Sequence, residues 1–227
     1  MTITNFFYTG IETTVTSRPE VVSEWITEKW KHYTSMCGRR LVAGLGVRWS
    51  PLTNGADTLQ ICFGTRCLVF QLSQAVFVPV DHELRNFLGD KDMFFVGIGN
   101  HHDRERLLNS RHNLLIGNLI NISDHVVIRN PCVYTAYWTP SMNTGIIWNQ
   151  DVYADYCTPS MKNLTMLFLG FNGVYKDHMV GRSDWSARDL SIQQIEYAVV
   201  DAHVSFEVGR RVLQCLEHFR RASFVCF

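Results

Sequence analysis

The sequence predicts a single α/β domain in which a mixed β-sheet has helices packed on it. Three observations lead to this fold class. Short apolar segments of strand length dominate the first hundred residues, and helical patterns dominate after Asp103. No internal repeat and no linker rich in Pro, Gly or Ser divides the 227 residues. The 46% of hydrophobic residues supply enough apolar surface for one sizeable core.

The first half of the chain predicts a helix followed by four strands. The helix begins at Ser17, because Ser17 and Glu20 have the spacing of a capping box and Pro19 lies in the first turn. The four strands are LVAGLGVRW (41–49), TLQICF (58–63), CLVFQL (67–72) and MFFVGIG (93–99). The second and third strands flank Gly64-Thr65-Arg66, which predicts a hairpin.

A short helix, HELRNFL (82–88), is predicted between the third and fourth strands, and helices dominate the rest of the chain. These later helices are DRERLLNSRHNLL from Asp103, SMKNLTMLFLGF (160–171) and a long final helix. Ser191 and Gln194 form a second capping box at the start of that final helix. Its apolar residues recur every three or four positions, so one face is expected to pack on the sheet. That face comprises Ile195, Ala198, Val199, Ala202, Phe206, Gly209, Leu213 and Leu216.

Charge and cysteine content exclude several functional classes. The 21 basic and 21 acidic residues sum to zero, so any phosphate binding requires a local basic patch. No apolar run reaches the roughly 18 residues of a membrane helix, so no membrane association is expected. The seven cysteines include no C-x-x-C pair, and the N-terminus lacks the basic start of a signal peptide. We therefore expect a cytoplasmic or nuclear protein in which Cys62 and Cys67 are packed thiols.

Three segments of the chain carry a family resemblance. They are 41–72, FFVGIGNHHDRERL at 94–107, and SDWSARDLSIQQIEYAVVDAHVSFEVG at 183–209. In this order they resemble the Werner-like 3′–5′ exonucleases of the DEDD superfamily, tyrosine subgroup, with the plant members most similar. The resemblance implies an RNase H-like mixed β-sheet flanked by helices, formed by residues 1–227 as one exonuclease-like domain.

The resemblance also implies a set of site residues. In the family, four carboxylates hold two divalent metal ions that stabilise the attacking hydroxide and the leaving oxygen of a phosphodiester. Asp103 stands at the position of the third carboxylate. Tyr197 and Asp201 match the family's Y-x-x-x-D motif, in which the tyrosine is implied to orient the nucleophilic water. Their i, i+4 spacing places both residues on one helix face.

The first acidic motif of the family is lost. Where the family has L-D-V-E-W, this chain has Leu-Gly-Val-Arg-Trp, with Gly46 in place of the aspartate and Arg48 in place of the glutamate. A guanidinium stays protonated at any relevant pH and repels metal ions. The predicted cluster of Asp103, Asp201 and Arg48 has a formal charge of −1, whereas four carboxylates would give −4.

We therefore expect a catalytically inactive or strongly impaired exonuclease-like protein, with no cofactor, that acts by binding a protein partner or nucleic acid. The alternative is an active metal-dependent 3′–5′ exonuclease on DNA or RNA, in which Asp103 and Asp201 hold Mg²⁺ or Mn²⁺. A third hypothesis is a self-associating structural domain. The sequence favours a solvated loop at His101 and His102 over a metal site, because the side chains of adjacent residues point apart.

Several basic and aromatic residues remain open to more than one interpretation. Arg48 either pairs with Asp201 or Asp103, or contacts a phosphate. Tyr197 is either a packed remnant or a working residue. Arg210, Arg211, Arg220 and Arg221 form a solvated face or a patch for a nucleic-acid backbone, and Lys176, Arg182 and Arg188 are candidates to line a substrate groove.

An aromatic-rich segment at about 130–160 is atypical for the family. It contains no Lys or Arg, so the electrostatic attraction that single-stranded nucleic acid requires is missing. Its aromatic residues either cover the core, stack on bases or form a surface for a protein partner, of which the last suits their composition better than base stacking. The candidate partner surface consists of Tyr134, Tyr137, Trp138, Trp148 and Tyr153.

Overall fold

A mixed sheet of seven strands forms the centre of the structure, a computed structural model that describes residues 2–30, 41–77, 82–125 and 160–223. In chain order the strands are β1 (Thr2–Phe6), β2 (Thr9–Thr16), β3 (Leu41–Arg48), β4 (Thr58–Phe63), β5 (Arg66–Gln71), β6 (Met93–Gly97) and β7 (Asn118–Asn121). Their spatial order is β1-β2-β5-β4-β3-β6-β7. Strand β3 is antiparallel to β4 and parallel to β6, and residues 42–47 of β3 are buried. This two-sided burial explains the continuous apolar run in its sequence.

The four predicted strands are confirmed, including the hairpin of β4 and β5 closed by Gly64-Thr65. Gly64 has a φ of 59°, a conformation that favours glycine. The sequence does not predict β1, β2 and β7. Strands β1 and β2 are rich in threonine and alternate between buried and exposed positions, and the four residues of β7 are all half-buried. Such segments lack the apolar run that marks the central strands.

Helices cover the sheet and connect its strands. They are α1 (Pro19–Trp25), α2 (Glu83–Gly89), α3 (Asp103–Leu108), α4 (Ile122–His125), α5 (Met161–Leu169), α6 (His178–Gly181) and α7 (Ile192–Ser223). A π-helical turn (Ile26–Trp30) extends α1, and a 3₁₀ turn (Leu72–Gln74) follows β5. Within the described ranges, no helix combines the length and the apolar character needed to cross a bilayer.

The helix ends correct two predictions and confirm one. The capping box at Ser17 is wrong: α1 begins at Pro19, and its N-cap residue Arg18 makes no side-chain capping hydrogen bond. The helix predicted from Asp103 ends at Leu108, because the chain turns there and Ser110 N donates to Leu107 O. The second capping box is confirmed, since Ser191 N donates to Gln194 Oε1 (2.9 Å) and Gln194 N donates to Ser191 Oγ (3.2 Å).

Helix α7 packs directly on β3, and a glycine makes the close approach possible. A Cβ atom at Gly44 would lie 2.6 Å from Phe206 N, closer than real Cβ atoms approach a backbone nitrogen. Most of the predicted apolar stripe of α7 is buried, including Ala198, Val199 and Ala202. The backbone contact fixes the height of α7 above the sheet, and with it the position of Tyr197 and Asp201 relative to the end of β3.

A charge-paired cluster at the candidate active site

Four segments bring the site residues together: the C-terminal end of β3, the start of α3, the loop between α5 and α6, and the first turns of α7. They contribute Arg48, Asp103, Lys176, Tyr197 and Asp201. Positions 46 and 48 of β3 share one face of the strand, because strand side chains alternate. A Cβ atom at Gly46 would lie 3.8 Å from Asp201 Oδ2, so this face points at α7.

Arg48 forms an ion pair with Asp201. Its Nη2 contacts Asp201 Oδ2, and the two side chains are only 18% and 8% exposed. The guanidinium carbon lies 4.9 Å from the centre of the Tyr197 ring, within the range of a cation–π contact. The sequence left open whether Arg48 pairs with Asp201, pairs with Asp103 or contacts a phosphate. The structure shows the pairing with Asp201.

Lys176 contacts the other oxygen of the same carboxylate. Its Nζ lies 2.5 Å from Asp201 Oδ1, and its side chain is 30% exposed. Lys176 lies in the irregular segment that follows Gly170, so loop structure alone carries this ammonium into the site. Each oxygen of Asp201 therefore has its own side-chain cation.

Asp103 is buried at the start of α3 without such a partner. It is 6% exposed, and among the described residues its carboxylate has no ion pair or hydrogen bond. Burial raises the pKa of Asp103 to about 7, although Arg48 and Lys176 act in the opposite direction. Burial likewise lowers the pKa of Lys176 to about 7, and Arg48 lowers it further while Asp103 raises it. The four groups thus form one electrostatically coupled cluster.

The hydroxyl of Tyr197 lies against α6. A Cβ atom at Gly181 would be 2.9 Å from Tyr197 Oη, and the Trp185 ring lies 6.1 Å away between centroids. Besides Arg48, Lys176 faces the ring of Tyr197, with its Nζ 5.9 Å from the centroid. The tyrosine thus packs between a short helix and two cations.

Gln60 occupies the space that Gly46 leaves open, and sequence reasoning did not identify it. The two residues are direct partners in the pairing of β3 with β4. Gln60 is fully buried, its Nε2 donates to Thr58 Oγ1 (2.7 Å), and its Oε1 would lie 2.8 Å from a Cβ at position 46. Gln60 Oε1 and Arg48 Nε are both buried without a hydrogen-bond partner in the described part of the chain. The long connection between β3 and β4 leaves their register open in the sequence.

Ser50 ties the end of β3 to the turn that precedes α7. Its Oγ donates to Asp184 Oδ1 (2.8 Å) and accepts from the backbone N–H groups of Trp185 (2.9 Å) and Ser186 (3.0 Å). Gln194, in the first turn of α7, donates to Asp184 O (2.9 Å). Arg48 lies two residues before Ser50, and Asp201 lies about two helical turns after Gln194. These bonds therefore fix the position of Arg48 relative to Asp201.

The donors of the cluster do not fit a pair of divalent cations. Hard cations require several free oxygen ligands, whereas both oxygens of Asp201 contact side-chain cations. Positions 46 and 48 contribute no oxygen ligand. Across residues 2–30, 41–77, 82–125 and 160–223, no group of three or more His, Cys, Asp or Glu side chains is arranged to hold a metal ion.

Solved structures share this architecture, whereas no family model and no curated protein matches the sequence. The catalytic core of RRP6 from Trypanosoma brucei matches with a TM-score of 0.61 at 14% identity, over 96% of this chain and 51% of that chain. Escherichia coli RNase D, an exoribonuclease, matches with a TM-score of 0.59 at 14% identity, over 89% of this chain and 44% of that chain. The EXO domain of Aedes aegypti Nibbler matches with a TM-score of 0.55 at 14% identity, over 92% and 90%.

The fold is the RNase H-like fold of these exonuclease structures, and membership of the DEDD superfamily stays a prediction. The predicted RNase H-like sheet flanked by helices is thereby confirmed. This chain spans about half the length of the RRP6 and RNase D chains that it matches. The Werner-like, plant-type subgroup stays a prediction.

The remaining candidates lie outside this cluster. Tyr134, Tyr137, Trp138, Trp148 and Tyr153 fall outside the described residues, as do the side chains of Arg220 and Arg221. His101 and His102 are exposed, and Arg210 pairs with Glu207 (3.1 Å) while Arg211 donates to Phe168 O. Arg182 and Arg188 are exposed, so of the three groove candidates only Lys176 is seen to enter the cluster. Cys62 and Cys67 are buried free thiols on paired strands, as predicted.

Proposed function

We propose that this chain is an exonuclease-fold protein that cleaves nucleic acid poorly or not at all and acts by binding. The observation that carries this proposal is the occupation of Asp201, whose two carboxylate oxygens contact Arg48 and Lys176. A two-metal nuclease needs that carboxylate free, together with acidic ligands that Gly46 and Arg48 do not supply.

Electrostatics explain why the side-chain cations exclude metal ions. A divalent cation at about 4 Å from a unit positive charge is repelled by about 8 kcal/mol at an effective dielectric constant of about 20. Metal binding at Asp201 would bring that repulsion from Arg48 and Lys176, unless both side chains moved away. Arg48 is 18% exposed and lies against the Tyr197 ring, so its displacement also costs packing.

Two kinds of partner are consistent with a binding role. Nucleic acid is supported by the cationic side chains of the cluster and by the fold. A protein partner is supported by the composition of residues 130–160, which combine six Tyr and Trp residues with no Lys or Arg. We place the protein in the cytoplasm or the nucleus, on the cysteine content alone.

A degradation assay tests the proposal. Single-stranded DNA and RNA oligonucleotides labelled at the 5′ end are incubated with the protein in Mg²⁺ or Mn²⁺, beside D201A. We expect no ladder of shortened products above that of D201A. Progressive shortening from the 3′ end that D201A abolishes would instead establish the metal-dependent exonuclease, with Asp103 and Asp201 as the ligands.

A second assay addresses the protein partner. Changing Tyr137, Trp138 and Trp148 to polar residues removes aromatic surface from the 130–160 segment. Loss of a defined protein partner from the triple variant, with an unchanged circular dichroism spectrum, supports a protein interface. Unchanged binding to that partner excludes this segment as the contact surface.

A further inference from the structure

The two side-chain cations point to a role beyond excluding metal. We propose that Arg48 and Lys176 take the place of divalent cations as phosphate ligands and form a metal-independent site for a phosphodiester of a nucleic-acid strand. This inference rests on the proposed function, since a strand held in this way is bound without being cleaved.

The cluster offers more hydrogen-bond donors than Asp201 can accept. A guanidinium and an ammonium together carry several more N–H donors than one carboxylate engages. Arg48 makes one ion-pair contact, from Nη2, and Lys176 makes one, from Nζ. A phosphate accepts several such hydrogen bonds at once, and arginine suits its geometry.

The charge of the cluster also suits a phosphate. Arg48 and Lys176 balance Asp103 and Asp201, so the formal charges sum to zero. A site of four carboxylates that holds two divalent cations also sums to zero. A phosphodiester that approaches this cluster therefore meets the same formal charge as in a metal-loaded site, and it meets cations that are part of the chain.

A polar acceptor in the same cluster suits the sugar next to that phosphate. The Asp103 carboxylate is 6% exposed and has no ion pair or hydrogen bond in the described part of the chain. A sugar hydroxyl is a donor that Asp103 can accept. Lys176 is the more accessible of the two cations: its side chain is 30% exposed on the loop before α6, whereas that of Arg48 is 18% exposed. We expect a strand to contact Lys176 first.

Fluorescence anisotropy tests the inference with the full chain. The probe is a 12-nucleotide single strand with a 5′ fluorophore and a free 3′-hydroxyl, as DNA and as RNA, in EDTA and in Mg²⁺. We expect equal affinity in both buffers and about a tenfold loss in K176Q. The matched control is K91Q: Lys91 is exposed and precedes β6, at the opposite end of the parallel β3–β6 pair from Arg48.

Further arms identify the contact and the ligand. R48K keeps the charge with fewer donors and should bind more tightly than R48Q. The slope of log affinity against log salt should fall by about 0.7 in K176Q, the value expected for one lost contact to a single strand. Inorganic phosphate and a nucleoside 5′-monophosphate are tested as competitors. Millimolar inorganic phosphate should displace the labelled strand less effectively than the unlabelled strand does. Equal displacement by the two competitors would assign the site to free phosphate and overturn the strand assignment.

The outcomes separate this inference from the proposed function. Binding that requires Mg²⁺, equal affinity in K176Q and wild type, or no binding at all overturns the metal-independent phosphate site and leaves the absence of cleavage intact. Cleavage in the degradation assay overturns the proposed function itself. If R48Q does not fold, the K176Q variant still tests the inference, because Lys176 lies on a loop. Thermal denaturation checks that K176Q is folded.

Discussion

Arg48 of β3 and Asp201 of α7 form an ion pair across the interface between sheet and helix, with the ring of Tyr197 beside the guanidinium. Position 48 is where the family resemblance expects a glutamate that holds metal. Arg48 thus supplies Asp201 with a side-chain counter-ion. We expect this pair to contribute to the stability of the fold.

Removing one partner of this pair should destabilise the fold. D201A leaves Arg48 and Lys176 without their carboxylate, and we expect the free energy of unfolding to fall by about 3 kcal/mol, as for other buried pairs broken on one side. The double variant R48M/D201L removes both charges of the pair and should recover part of that loss, because Lys176 remains without its carboxylate. Urea denaturation measures both values.

The control for this pair is D189A, because Asp189 is exposed. It should change the free energy of unfolding by less than about 0.5 kcal/mol. If D201A were as stable as D189A, the ion pair would have no structural role.

Two glycines of β3 should respond differently to alanine. G44A places a Cβ against the backbone of Phe206, which cannot move without lifting α7, so we expect a loss of about 3 kcal/mol. G46A meets the end of the Gln60 side chain, which can turn away at the cost of its hydrogen bond to Thr58, about 1 kcal/mol. Thermal denaturation of the two variants should therefore rank G44A well below G46A. The reverse ranking would show that α7 does not rest on Gly44.

Much of this fold was predictable from the sequence, for identifiable reasons. Strand β3 is buried on both faces and therefore apolar throughout, and α7 carries a capping box that the structure reproduces bond by bond. Strand β2 was not predictable in the same way, because its threonines give neither an apolar run nor a turn signal. Its place beside β5 depends on pairing between distant segments.

Two buried histidines should each contribute less to stability as the pH falls from 7 to 5. His203 and His112 are buried, and burial lowers the pKa of each below its usual value of 6.5. The unfolded chain therefore binds protons that the folded chain does not. Stability from these residues is present above pH 6.5 and is lost as the pH falls from 6.5 towards their folded pKa values.

Variants that keep the hydrogen bonds isolate this effect. H203N keeps a donor for Gly64 O, and H112Q keeps one for Leu72 O. The free energy of unfolding of H203N/H112Q should depend less on pH than that of wild type between pH 7 and 5. Asp103 titrates in both proteins with the opposite sign, since burial raises its pKa to about 7, so the comparison cancels its contribution. Identical pH dependence in both proteins would show that folding does not lower the pKa of either histidine.

Divalent metal ions should not stabilise the wild-type protein. A ligand that binds only the folded state raises its stability by RT ln(1 + [L]/Kd). Because Arg48 and Lys176 contact both oxygens of Asp201, we expect no shift of the Tm in millimolar Mn²⁺ or Mg²⁺ relative to EDTA. A Tm increase that D201A abolishes would contradict the exclusion of metal.

Metal binding should appear only when several positions change together. G46D/R48E introduces two acidic ligands, but Gln60 fills the space beside position 46 and Lys176 still contacts Asp201. We expect G46D/R48E/Q60A/K176Q to bind Mn²⁺ at least tenfold more tightly than G46D/R48E, as measured by calorimetry. Equal affinity in the two variants would show that Gln60 and Lys176 do not obstruct the site.

The site was only partly predictable. The resemblance supplied Asp103, Tyr197 and Asp201 by motif, and it marked Gly46 and Arg48 as departures from that motif. Lys176 appeared only as one of three basic residues near a groove, because nothing in the sequence shows which of them a loop brings to a carboxylate. Gln60 was missed, since its effect depends on the register of β3 with β4.

The pairing of Arg48 with Asp201 limits what single substitutions at this site can achieve. R48E removes the counter-ion of Asp201 and adds a third acid to the cluster, and no metal compensates while position 46 is not acidic. G46D displaces the buried Gln60 side chain, and Arg48 still contacts Asp201. Neither single substitution therefore produces a metal site, and Asp201 serves to neutralise side-chain cations.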